Sequence, residues 1–256
     1  MAKQEPVKQE LVKTGNQAIA VPEFIKPVEV TGAEHIGRDD IQMPRLALAQ
    51  SLSPQVDSDK PEYIPGLKNG DLFNSLTQQN YERGPLDFCI IRSDKARGVE
   101  FFPRESGGGV KDFDVPLTDP RMQFTKNEKG ESVKPVATKF YDFIIMLLDN
   151  REVIGLSFKS SGLKTARDLN GLIKLRGRYP IYAGKYTLTA EKKTNSKGTF
   201  SVYKIVNAGW LPDAETLNFA KVMHEELSGK NITIDRGTAA DHEEDASFDP
   251  ATLNKM

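Results

Sequence analysis

Cysteine is almost absent from this chain: Cys89 is the only one among 256 residues. It has no partner for an intramolecular disulfide, and a Cys-rich zinc site is excluded. Cys89 lies in the apolar stretch 86–91 with no histidine near it in sequence, so it reads as a buried structural thiol rather than a nucleophile. Histidine is scarce too, and His35, His224 and His242 show no ligand spacing. Asp39-Asp40 finds no matching carboxylate cluster among the expected strands, which disfavours a metal-dependent nuclease. The longest apolar run, residues 143–148, is strand-sized and far short of the ~20 residues that cross a membrane as a helix. Residues 1–13 are polar and lack the apolar segment of a secretory signal. No membrane partner, metal or cofactor is implied, and the expected setting is reducing and aqueous, the cytoplasm.

Catalytic signatures are equally thin. Gly107-Gly108-Gly109 lacks the Lys-Ser/Thr and the following helix of a phosphate-binding loop. Ser161 and Lys164 have Ser-x-x-Lys spacing, yet the companion motifs of that enzyme class are missing, and a helix N-cap at Ser160 or Ser161 accounts for the serines. No catalytic residue emerges, and an enzyme is not expected.

What the chain does have is a concentration of positive charge. Residues 159–204 carry eleven Lys and Arg against Asp168 and Glu191, a net +9 in a protein whose overall charge is -1. Part of the balance lies in the acidic stretch Asp241, Glu243, Glu244 and Asp245. Such polarity implies a polyanionic partner. Tyr179, Tyr182, Tyr186, Phe200 and Tyr203 are interleaved with the bases. Cations for phosphates and flat rings for exposed bases are what single-stranded nucleic acid requires. The bland alternative is that the aromatics are core and the charges a solvated strand face.

Periodicity gives the organisation. Residues 1–38, rich in Lys, Glu, Gln, Val and Pro, read as a flexible N-terminal arm. Short strands are expected near 41–48 and 70–74, and longer ones at 86–92 and 98–104. Residues 105–139, with Gly107, Gly108 and Gly109, three prolines and many charges, read as a mobile insertion. Residues 140–148 and 152–158 form a hairpin, and 160–176 switch to helical spacing through Leu163, Ala166, Leu169, Leu172 and Ile173 ahead of Gly177. Strands at 181–191 and 199–206, a helix at 213–228 and an acidic disordered tail at 229–256 complete the chain. The result is a mainly β, α+β protein. A meander leading through a helix to a closing hairpin is the layout of the five-stranded OB-fold barrel, here spanning residues 39–212 with an inserted loop and flexible termini. The basic turn at residues 192–198 falls where that fold places a binding loop.

Met43-Pro44-Arg45-Leu46-Ala47-Leu48-Ala49-Gln50-Ser51-Leu52-Ser53-Pro54, residues 66–74, Phe158-Lys159-Ser160-Ser161-Gly162-Leu163-Lys164 and Ala208-Gly209-Trp210 resemble a family of tailed-bacteriophage early proteins. Members are uncharacterised or labelled single-stranded DNA-binding proteins. The resemblance covers about residues 40–212 and brings no catalytic residue with it. It implies a sequence-independent single-stranded DNA-binding protein of phage replication or recombination, acting in the host cytoplasm. The residues expected at DNA are Lys159, Lys164, Arg176, Arg178, Tyr182, Lys185, Tyr186, Lys192, Lys193, Lys197, Phe200, Tyr203 and Lys204. The acidic tail is similar to those with which replication single-strand binders recruit partners, so phage or host replication proteins are its expected contacts. It departs from them by ending Leu253-Asn254-Lys255-Met256, with Phe248 the nearest aromatic. Oligomerisation stays open. The competing class is a phage structural or host-interaction protein whose basic face has no single-strand preference.

Overall fold

The computed structural model describes residues 42–103, 106, 108–195, 198–230 and 232–237. The N-terminal arm, Lys197 and the acidic residues from 238 onward lie outside the described residues.

The apolar run after Ala137 forms the axis of the molecule. Strand β9 (Ala137–Leu147) is buried almost throughout, because both of its faces are covered. Phe143, Ile145 and Leu147 join one core cluster and Ile144 and Met146 another, so its sequence reads as continuous rather than alternating hydrophobicity. Each such side chain contributes about 1.5–3 kcal/mol by leaving water. Strand β4 (Leu86–Ser93) shows the same division: Phe88 and Ile90 face one cluster, Cys89 and Ile91 the other.

Around this pair the main sheet has seven antiparallel strands. Its order is β12 (Gly198–Trp210), β11 (Gly184–Asn195), β4, β9, β5 (Arg97–Phe101) and β6 (Val110–Val115), with β10 (Val153–Lys159) on the opposite edge of β9. The chain begins with the short strands β1 (Gln42–Met43), β2 (Leu46–Leu48) and β3 (Leu72–Asn74), and β7 (Thr125–Lys126) pairs with β8 (Ser132–Val133) in a small hairpin. Strand β6 and this hairpin occupy the stretch expected to be a mobile insertion. Lys111, Asp112 and Asp114 in β6 are the charges an exposed edge strand carries, and they hide it from a hydrophobicity reading.

Helix α1 (Leu163–Leu175) packs Ala166 and Leu169 onto one face of the sheet, and α2 (Ala214–Leu227) packs Ala220 onto the other. The expected serine N-cap of α1 is absent. Gly162 occupies that position without a side-chain hydrogen bond, after a 3-10 turn at Ser160–Gly162. Helix α2 is capped by Asp213, whose carboxylate accepts from the Thr216 amide at 2.7 Å. At its other end Arg92 donates to the carbonyls of Leu227 and Lys230 at 2.9 and 2.6 Å.

The sheet is open, where five strands closing into a barrel were expected. Among the described residues no ladder joins β10 to β12. Residues 44–50 lie in that seam instead. The Gly155 amide donates to Pro44 O at 2.9 Å, and the Tyr203 hydroxyl donates to Leu46 O at 3.0 Å. The Gln50 side-chain amide both donates to Ser201 O and accepts from Ser201 N, each at 2.9 Å, imitating a strand neighbour.

A second strap comes from the far end of the chain, inside the segment expected to be tail. Strand β13 (Thr233–Ile234) pairs in parallel with β1. Ile234 sits where a Cβ on Gly155 would come within 2.6 Å of it, so only glycine fits there. Arg236, 2% exposed, donates two 2.6 Å hydrogen bonds to the buried Asp142 carboxylate and a third to Ser157. Burial alone would raise the Asp142 carboxyl, but the hydrogen bonds and charge of Arg236 prevail and hold it below its ordinary value.

Candidate nucleic-acid interface

Strand β12 is an edge strand, and α1 runs beside it because Thr165 Oγ1 donates to Tyr203 O at 3.1 Å. Between them lies a groove of about 190 Å³, lined by Lys164, Lys193, Lys204 and Tyr203 together with Asp168 and Glu191. It adjoins a second hollow of about 100 Å³ at the open seam, lined by Arg45, Lys159 and again Tyr203. Five of the thirteen expected residues therefore meet here: Lys159, Lys164, Lys193, Tyr203 and Lys204.

Two of these lysines hold acidic neighbours. Lys164 pairs with Asp168 at 3.2 Å and Lys204 with Glu191 at 3.2 Å. Both pairs are exposed, where such contacts contribute at most about 1 kcal/mol, so a phosphate can displace the carboxylate. Tyr203 forms the floor. Its ring meets Phe158 edge-on at 5.4 Å, and burial raises its phenol above the ordinary value.

Other expected residues lie elsewhere, for reasons set by strand register. Lys193 pairs with Phe200 and Lys192 with Ser201, so Lys192 projects to the opposite side of the hairpin from Lys193 and Phe200. Lys185 is engaged by Asp87 at 2.6 Å. Burial acts to raise the Asp87 carboxyl, but hydrogen bonds from Lys185 and Thr187 hold it below its ordinary value. Tyr182 precedes the strand, in a 3-10 turn at Ile181–Ala183, and its ring packs 5.1 Å from that of His224 against α2. Tyr186 is fully buried against Phe88 and is therefore core rather than a platform.

Arg176 is wedged between two rings, its guanidinium 4.8 Å from the centroid of Tyr186 and 4.6 Å from that of Trp210. Its Nη2 donates to Asn207 Oδ1 at 2.7 Å. Arg178 is exposed just beyond the end of α1. The basic block thus divides into a lysine groove at the start of α1 and an arginine-aromatic cluster at its end. Charge and aromatic content had signalled the first, whereas Trp210 was missed: it lies past the basic block, and only its position as the sole tryptophan, at the end of a strand, marked it.

Neither cluster gathers metal ligands. Among the described residues no three His, Cys, Asp or Glu side chains converge at metal-binding distance. No described helix is long and apolar enough to cross a membrane.

Comparison with known families places this mainly β, two-helix chain among bacteriophage proteins. The matching family is described as Pam3 phage gp34-like protein; its model covers residues 13–233, and the chain belongs to that family. No curated protein and no solved structure matches the chain.

Proposed function

We propose that this phage protein binds single-stranded DNA without sequence preference, in replication or recombination. The observation that carries the reading is the convergence of Lys164, Lys193 and Lys204 around Tyr203 in one groove, with Lys159 in the hollow that adjoins it. A cationic channel that follows a sugar-phosphate backbone, next to rings able to stack, suits an unpaired strand better than a rigid duplex. The scaffold supports the same reading. We read the order β10-β9-β4-β11-β12, with α1 between β10 and β11 in the chain, as an OB-like layout left open at one seam. In such a scaffold the binding surface involves the third strand and the turn between the last two, here the ends of β10 and the β11–β12 hairpin.

A gel shift with labelled oligo(dT) and a duplex of equal length tests the reading. Preference for oligo(dT), reduced about tenfold or more at low salt in a Lys164→Ala, Lys193→Ala, Lys204→Ala variant, is the expected result. Equal affinity for both nucleic acids, or none for either, would favour a structural or host-interaction role instead.

A further inference from the structure

The groove leaves Tyr179 and Trp210 without a role. They are 64% and 50% exposed, and their rings meet edge-to-face with centroids 4.8 Å apart. The pair is held in place by its backbone. Trp210 pairs with Gly184 across the β11–β12 ladder, and the following amide, Leu211 N, donates to Ala183 O at 3.1 Å. Arg176 braces one ring, fixed in turn by Asn207 and by the carbonyl of Lys185. Two large rings are therefore fixed at the surface rather than folded into the core.

The chain segments that carry them have charge of one sign. Lys174 and Arg178 are exposed at the end of α1 beside Arg176, and no acidic residue occurs between Asp168 and Glu191 or from 192 to 212. The first acid beyond, Asp213, is committed to capping α2. A partner suited to this surface presents flat apolar faces and negative charge together. Unpaired nucleobases on a phosphate backbone meet that description, whereas an acidic peptide lacks the faces and a second copy of this basic surface would be repelled.

We propose that Tyr179 and Trp210 form a base-stacking platform for single-stranded DNA, with Lys174 and Arg178 meeting the flanking phosphates. The inference rests on the single-strand reading and extends it. From Lys164 to Arg176 the helix rises about 18 Å, so a strand leaving the lysine groove would follow α1 to reach the platform.

Trp210 is the only tryptophan, so tryptophan emission, excited selectively over the tyrosines, reports on this site alone. The full-length protein is titrated with unlabelled oligo(dT) while Trp210 emission is followed, and in parallel with fluorescein-labelled oligo(dT) while anisotropy is followed. Emission should be quenched with the same saturation point as the anisotropy rise, and an abasic oligonucleotide should quench far less. Trp210→Ala should lower affinity about 5- to 150-fold, the effect of losing one stacked base, with Trp210→Phe retaining much of it. Tyr179→Ala, at the more exposed ring, serves as a second variant if Trp210→Ala fails to fold. Anisotropy binding with unchanged emission and wild-type affinity in the variants would overturn the platform and leave the single-strand reading standing. Absence of anisotropy binding would sink both. An emission shift that follows protein concentration without DNA would assign the pair to contact between copies and overturn the platform.

Discussion

Replacing Arg236 with methionine keeps an apolar stem but removes the guanidinium, which lies over Phe140 and neutralises Asp142. The Asp142 side chain is 0% exposed, so its carboxylate would remain buried with Ser157 and the more distant Arg97 Nε at 3.3 Å. Breaking a buried pair on one side costs about 3–5 kcal/mol, and the partial compensation by Arg97 puts the expected loss toward the lower end. For a domain of this size each kcal/mol shifts Tm by about 2–4 °C, so a fall of roughly 6–12 °C is expected in thermal denaturation followed by circular dichroism. The pH dependence has a definite sign. Because the Asp142 carboxyl is depressed in the folded state, the stabilisation is fully present above its unfolded value, near 4, and is lost as pH falls through the folded value. The gap between wild type and variant should therefore be constant at neutral pH and narrow in acid. Adding Asp142→Leu to Arg236→Met should recover much of the loss, since an apolar pair leaves no unpaired charge. A single variant within 1 kcal/mol of wild type at pH 7 would refute the reasoning and detach residues 233–237 from the fold.

Gly184→Ala would place a Cβ within 2.6–2.8 Å of the Arg176 guanidinium; displacing that flexible side chain should cost about 1 kcal/mol and alter Trp210 emission, and unchanged emission would contradict the packing. Removing residues 238–256, with Asp241, Glu243, Glu244, Asp245 and Asp249, should tighten oligo(dT) binding at low salt, as a tethered acidic competitor is lost, and less so at high salt. A cut after Lys230 should instead lower Tm, because it also removes β13 and Arg236; equal stability of the two truncations would refute that distinction. The Cys89 thiol, pushed up to about 12 by burial, should resist a disulfide-exchange reagent at pH 8 until the protein unfolds, and rapid native-state modification would show the burial to be wrong.

Long periodic segments were legible in the sequence. The 140–158 hairpin follows from two strand-length apolar runs parted by Asp149-Asn150-Arg151, and α1 from apolar positions that recur at three or four residues. Short non-local pairings were not: β1 meets β13 across most of the chain, and Arg236 looks like any charge in a polar tail until Asp142 is found beneath it. The N-cap of α1 misled because an intervening 3-10 turn shifted the helix start from the serines to Gly162. At the site, the excess of positive charge was visible, but its division was not. Strand register decides that Lys193 and Lys192 part company, and packing buries Tyr186 against Phe88, while Trp210 stays at the surface.

The salt dependence of oligo(dT) binding, measured by fluorescence anisotropy for wild type and for the Lys164→Ala, Lys193→Ala, Lys204→Ala variant, decides whether this groove holds DNA. Each phosphate neutralised on a single strand contributes about -0.7 to the slope of log affinity on log salt, so the three groove lysines together with Lys159 of the adjoining hollow predict a slope near -3 or steeper. The variant should be shallower by about 2. A wild-type affinity indifferent to salt, or a variant with the wild-type slope, would contradict the assignment of this groove to DNA.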